Sequence, residues 1–558
     1  MNRLLALLLL CVFAGSSVYL LIVRPKPDTG LVDYLPEDTL VVIEWDNVAR
    51  AWAGWRHSPA GVKTYQPNFF KILEQLGVRD TFADDSRKAI VFLEHLARRT
   101  FFQSLLSQKA VLAFLPDTCG QPYSSASLSR QWVLALETGP DFSPQQLQDF
   151  FGSVQSQQTT VYQGEPLVTL VLKEGHSLSY WRQRDIVLCA QEVTLVQRCI
   201  NQSLQRMVRP RSGLQLNAAY QRLRLHGRNR ADVFCYADLE ALQHRLPVLQ
   251  EIDAESGGFM PRQLALFHFS EADKYRLGIA ALADKEAVTA FTARYQLAPP
   301  AVGSAPRPIL GKTGFSFWTN WFKPRELWQL GLQRADPDVV ALMTSVGQQL
   351  TEITGKSLDA FFDVFGNGFG VFIHEQAVPH QSNRSLGCLI LEMRDRPAVA
   401  YMVKQLVAGL QVVTVKSGEM EISSVVLAGG LLQPAFALVG KYLILADSVE
   451  LIEQAWQQVR PDPDDGAKER HPVDRAAGNL FFFVRTGEMI DRLVPLLTSL
   501  AKETGERTRV MPAESRLFVR EIGLPVLASL RNMATGNFRG SVAGDTILLE
   551  GDYTLSRE

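Results

Sequence analysis

The chain has 558 residues, 46% apolar and 21% charged, the composition of an ordinary globular protein, which excludes a disordered or collagen-like one. Its 57 basic residues are matched by 58 acidic ones, so no global field draws it to nucleic acid and electrostatic arguments must be local. The length suits about two to four domains.

From Leu4 to Val23 there is no charged residue, and those 20 residues match what a helix needs to cross a bilayer core of roughly 30 Å. Residues 1–24 therefore read as a transmembrane anchor and 25–34 as a juxtamembrane linker. Ala14-Gly15-Ser16 is a small-residue cleavage cue, which makes a cleaved signal peptide the competing reading, but Val18 to Val23 continues the apolar run beyond it. Arg3 on one flank is balanced by Arg24 and Lys26 on the other, and an exported body is the expectation. Cys11 follows leucines rather than the small residue that lipidation requires. Cys119, Cys189, Cys199, Cys235 and Cys388 are sparse and odd in number, which argues against a disulfide framework and for small core residues.

Beyond the linker the chain runs twice through one pattern. Trp45 and Trp52, after Leu40 to Ile43, answer to Trp321 and Trp328 after Phe315 to Phe317. Phe102–Phe114 matches Phe361–Ile373, and Val133–Glu137 matches Cys388–Glu392. A helix follows each, opened by Ser143-Pro144 or Arg396-Pro397, where proline loses no intrahelical hydrogen bond. Val161–Glu165 matches Val415–Glu419 as a hairpin turn, and Ile186–Cys189 matches Leu443–Ala446 as a strand leading into a helix. Phe234–Tyr236 matches Phe481–Phe483. Two helices with apolar stripes come early in the halves, at Leu93, Leu96, Ala97, Phe101, Leu105 and at Val339, Leu342, Met343, Val346, Leu350, Ile353.

The proline-rich stretch 297–312 separates the halves as an extended linker, leaving 35–296 as the first repeat and 313–558 as the second. Strands in neighbouring runs, with helices between the groups, predict an α+β fold: internally duplicated, mostly antiparallel sheets covered by helices, plus the N-terminal transmembrane helix.

Leu35-Pro36-Glu37-Asp38-Thr39 just after an anchor, the strand-turn-helix Leu188–Cys199, and Ser212–Tyr220 leading to Tyr236–Leu239 resemble a broad group of bacterial membrane-anchored or exported proteins of unknown function. The resemblance covers most of the body, although the second half lacks a clear copy of Ser212–Leu225. It implies an envelope location, with the anchor in the inner membrane and the body in the periplasm, and brings no reaction, cofactor or catalytic residue.

Short motifs for chemistry fail on spacing. Gly311-Lys312-Thr313 has Pro306 where a phosphate loop needs glycine, and Gly366, Gly368 and Gly370 precede a strand and read as a turn. Asp462 to Gly466 misplaces a calcium ligand and the loop glycine, and reads as a solvated acidic loop. The nine histidines are scattered singly, with His95 a surface example, and neither a Cys-x-x-Cys pair nor a Gly-x-Ser-x-Gly elbow occurs. Trp45, Trp52, Trp321 and Trp328 recur as packing residues do and are expected in the core.

One local charge signal stands out. Asn201 to Ala231 contains no Asp or Glu but has Arg206, Arg209, Arg211, Arg222, Arg224, Arg228 and Arg230. The second half repeats Val208-Arg209-Pro210 as Val459-Arg460-Pro461 and then turns acidic. These arginines are candidate contacts for an anion or headgroup, of anionic lipid or of an acidic envelope protein; pairing with acids elsewhere in the fold is the plainer alternative. The expectation is a non-enzymatic, membrane-tethered binding or scaffolding protein without cofactor, with a lipid or lipoprotein carrier as runner-up and an enzyme of unrecognised type third.

Overall fold

A computed structural model describes residues 30–57, 69–75, 107–117, 130–138, 154–209, 212–226, 231–246, 261–289, 313–376, 384–459, 479–502 and 513–555, apart from a few positions inside these ranges and a few isolated ones elsewhere. The Leu4–Val23 run, the stripe Leu93–Leu105, His95, Cys119, Pro144, the linker 297–312 and the loop Asp462–Gly466 lie outside the described residues. Among the described residues no helix is long and apolar enough to cross a membrane.

The chain divides into two compact units: Met1–Arg50 with His95–Arg224 and Cys235–Leu246, and Ala51–Glu94 with Leu225–Phe234 and Pro247–Glu558. The first holds β1 (Val41–Trp45), β2 (Ala110–Phe114), β3 (Trp132–Glu137), β4 (Val154–Tyr162), β5 (Glu165–Leu172), β6 (Ser177–Gln183), β7 (Ile186–Ala190) and most of β8 (Val233–Asp238). Their order across the sheet is β4-β5-β6-β7-β3-β2-β1-β8.

The second unit holds β9 (Gln263–Glu271), β10 (Lys274–Leu282), β11 (Thr313–Thr319), β12 (Phe365–Gln376), β13 (Arg384–Met393), β14 (Val412–Ser417), β15 (Met420–Val425), β16 (Ala435–Val439), β17 (Tyr442–Ala446), β18 (Leu480–Val484), β19 (Met533–Ala543) and β20 (Thr546–Leu555). They run β14-β15-β16-β17-β13-β12-β11-β18-β19-β20-β10-β9. Every ladder with a described register is antiparallel, so the class is α+β with antiparallel sheet and helices. Strands β9 and β10 lie inside the stretch expected as the first repeat but belong to the second unit, where β10 pairs with β20 and β9 with β10.

Residues alternate faces along a strand, so a strand apolar throughout needs cover on both sides. In the second unit Ile444 of β17 packs with Leu451, Ile452 and Ala455 of one helix (Val449–Val459), whereas Leu443 packs with Val399, Met402 and Val403 of another (Arg396–Leu406). Each of the Val, Leu, Ile and Met side chains among these, taken out of water, contributes about 1.5–3 kcal/mol. Asp395 caps the Arg396–Leu406 helix by accepting from the Ala398 N–H at 3.0 Å, and Pro397 occupies its first turn. In the first unit, helix α1 (Val193–Val208) buries Leu195, Val196, Cys199 and Ile200 over the sheet that contains β6 and β7.

The registers correct the sequence alignment in three places. The β4–β5 ladder closes on Tyr162 opposite Glu165 and the β14–β15 ladder on Ser417 opposite Met420, so Gly418 stands where Gln163 does, not Gly164. Both adopt positive φ, +54° at Gln163 and +59° at Gly418; aligning glycine with glycine slipped the match by one position. Tyr442 rather than Leu443 takes the place of Ile186, because the next hairpins close on Gln183 opposite Ile186 and Val439 opposite Tyr442. With Phe114 matched to Ile373, β1 and β2 put Trp45 on Thr319, short of Trp321.

Two local expectations also change. Gly366, Gly368 and Gly370 lie within β12 rather than in a turn, beside a register shift between Phe365 and Phe369. The Glu392 side chain lies across Gly366 and Gly368, where a Cβ would meet it, and accepts the Gly368 N–H at 2.9 Å. The helix Pro337–Thr354 buries Gly347 and Thr354 and half-buries Met343 and Leu350, leaving Leu342, Val346 and Ile353 of the expected stripe exposed. Gly347 allows the close approach that turns the helix, since a Cβ there would sit 3.1 Å from Leu358.

Candidate functional site

Two arginines of the segment, Arg206 and Arg224, belong to a polar network of the first unit, where the chain enters the body. Leu31–Tyr34 forms a short 3-10 turn whose four residues are all buried, so these residues belong to the body. Arg206, in the last turn of α1, reaches the buried Asp33 carboxylate at 3.0 Å, and Gln215 donates to the other oxygen. A cation at a helix C-terminus also suits the helix dipole. The Tyr34 hydroxyl donates to Gln183 at 3.2 Å, and its ring meets Trp181 edge-on.

The second acid of this network is Glu44 on β1, which accepts from the Tyr220 hydroxyl at 2.6 Å and from Arg224 at 2.6 Å. Tyr220 and Arg224 lie one turn apart on helix α2 (Ala218–His226), so both reach the same carboxylate. Burial pushes the Asp33 carboxyl above the usual carboxylate range, even though Arg206 and Arg224 pull it down. Burial, with Glu44 beside it, holds the Tyr220 phenol well above its ordinary value. Two acids and two arginines thus neutralise one another: the Asp33 contacts fasten the entry turn to α1 and to Gln215, and the Glu44 contacts fasten α2 to β1.

Arg206 and Arg224 therefore have partners inside the fold. Arg209, just past α1, and Arg222, on α2, are exposed. Arg211, Arg228 and Arg230 lie outside the described residues. By register Trp318 occupies in the second unit the place that Glu44 holds in the first, and it packs on Phe481. Sequence reading had singled out the arginines but not Asp33 and Glu44, which lie far from them in the chain.

A second cluster lies on β9, β10 and β20. His268 Nε2 is 2.9 Å from the Tyr553 hydroxyl, and Asp232 lies 3.9 Å from His268 Nδ1, an ion-pair distance rather than a hydrogen bond. Tyr275 and Tyr553, opposite each other on neighbouring strands, stack with ring centroids 5.1 Å apart. Burial lowers the His268 pKa against the pull of Asp232, and burial pushes the Tyr553 phenol up to about 12, so a neutral ring contacts a neutral phenol at pH 7. Scattered histidines had suggested no such grouping, because strand pairing, not local spacing, assembles it.

The same sheet face continues into an apolar row. Leu266 lies opposite Ile279, and Ile279 opposite Leu549, yet the three remain 43%, 39% and 37% exposed. Among the described residues no group of three or more His, Cys, Asp or Glu side chains is placed to hold a metal ion. No family model, curated protein or solved structure matches the chain.

Proposed function

We propose that this chain is a non-enzymatic protein of the bacterial cell envelope, tethered to the inner membrane by Leu4–Val23, whose duplicated α+β module binds or scaffolds another envelope component. The pairing order from β4 to β8 recurs from β14 to β18, with matching hairpin closures, which supports the duplication. The acids of the entry network are neutralised by arginines from neighbouring elements, an arrangement suited to holding a turn in place.

The observation that carries the binding role is the open row Leu266, Ile279 and Leu549. Three large apolar side chains, in register on one face of the sheet, form a contiguous strip that a partner's apolar ridge would cover. An acyl chain would fit the same strip, which keeps a lipid or lipoprotein carrier as the second reading.

A reporter active only in the periplasm, fused after Glu558, tests the envelope setting. Activity is expected; an inactive fusion beside an active cytosolic reporter contradicts it. Lipid analysis of the purified full-length chain separates the two readings. Stoichiometric acyl chains, lost on Ile279→Lys, would favour the carrier, and their absence the scaffold.

A further inference from the structure

We infer that the C-terminal end of α1 and the Gly213–Leu216 turn form a docking face for the surface of an anionic bilayer. This rests on the tethered reading above. Met207, Val208 and Leu216 are 67%, 82% and 49% exposed, an unusual state for three large apolar side chains on one short stretch. Arg209 is exposed beside them, and Asn201 to Ala231 contains no carboxylate to repel an anionic surface. Apolar side chains projecting beside arginines suit the boundary between headgroups and acyl chains.

The point of entry places this face. Met207 follows Arg206, and Leu216 follows Gln215; both of those neighbours hold Asp33 in the entry turn. The Leu214 N–H donates to the Leu35 carbonyl at 3.0 Å, and a Cβ on Gly213 would strike that oxygen, so the 213–216 turn lies directly against the entry segment. Between Val23 and Gly30 only Arg24 to Thr29 intervene, a reach of about 20 Å when fully extended. A span ending at Val23 therefore keeps Met207, Val208 and Leu216 close to the headgroups. An acidic protein would meet the arginine but gain little from the apolar side chains, so the bilayer is the better occupant.

The test places a photoreactive benzoylphenylalanine at Val208 or Leu216 of the full-length chain, and at exposed Lys404 as control, in native membranes and in phosphatidylglycerol/phosphatidylcholine proteoliposomes. Alkaline carbonate comes first: release of the chain would remove the tether itself and, with it, this inference. With the chain retained, phospholipid adducts at 208 and 216 but not at 404 are expected, and Arg209→Gln should lower their yield about fivefold. Omitting phosphatidylglycerol should lower it further. Protein adducts alone, no adduct, or equal lipid yield at 404 would overturn the docking face while leaving the tether intact.

Discussion

Gly278 on β10 lies directly opposite Glu550 on β20, and the two hold the same place in their own hairpins. The β9–β10 hairpin closes on Glu271 opposite Lys274 and the β19–β20 hairpin on Ala543 opposite Thr546, which sets Gly278 in line with Glu550. The β10–β20 pairing therefore reads the same from either strand. Such a self-complementary pairing has the local twofold symmetry that contacts between like subunits show.

Gly278 also sits under a ring, because a Cβ there would collide with Phe267 Cζ. Gly278→Ala should lower stability by about 1–3 kcal/mol through overpacking. Adding Phe267→Leu should recover part of the loss, a coupling that thermal melts of the two single variants and the double variant would measure.

The entry network predicts a second coupling. Asp33→Ala leaves Arg206 largely buried without its carboxylate and should lower stability by about 2–3 kcal/mol, less than for a fully buried pair because Arg206 keeps some solvent. Asp33→Ala with Arg206→Met should lose less than the sum of the singles. Since the folded Asp33 carboxyl is raised above 3.8, its proton-linked contribution is fully present below 3.8 and lost as pH rises through the folded value. The stability difference between the natural chain and Asp33→Asn should fall across that window and then level, as denaturant melts at stepped pH would show.

His268 predicts the opposite slope. Its folded pKa is lowered from 6.5, so its contribution is present above 6.5 and lost as pH falls through the folded value. The stability advantage of the natural chain over His268→Gln should shrink below pH 6.5. Melts from pH 7.5 downward check this, and an advantage that grew in acid would contradict the assignment.

How much of this was legible in the sequence follows from the range of the interactions. Apolar alternation and hairpin turns revealed the strands, and Arg396-Pro397 marked a helix start, because these are local signals. The match failed where a turn changed its glycine, since Gln163 and Gly418 share a conformation but not a residue type. The network around Asp33 was out of reach because its acids lie in the entry turn and β1, while its arginines belong to α1 and α2. The His268 cluster was hidden for the same reason: Tyr553 comes to it only through the β10–β20 ladder.

The buried thiols offer a chemical check on the core. Cys189, Cys199 and Cys388 are buried, and that burial pushes each thiol up to about 12. Since the thiolate is the reactive form, all three should resist iodoacetamide in the native chain at pH 8 and react once it is unfolded. Mass spectrometry of the digested protein reads this residue by residue.

The binding role turns most directly on Ile279, the middle of the row between Leu266 and Leu549. A photoreactive residue placed there in the full-length chain, and at Lys404 as control, should give in living cells a discrete adduct larger than the chain by the mass of a protein. The adduct should disappear when Leu266 and Leu549 are changed to lysine, with the melting temperature kept. Lipid alone at 279, no adduct, or the same protein adducts at Lys404 would contradict the account.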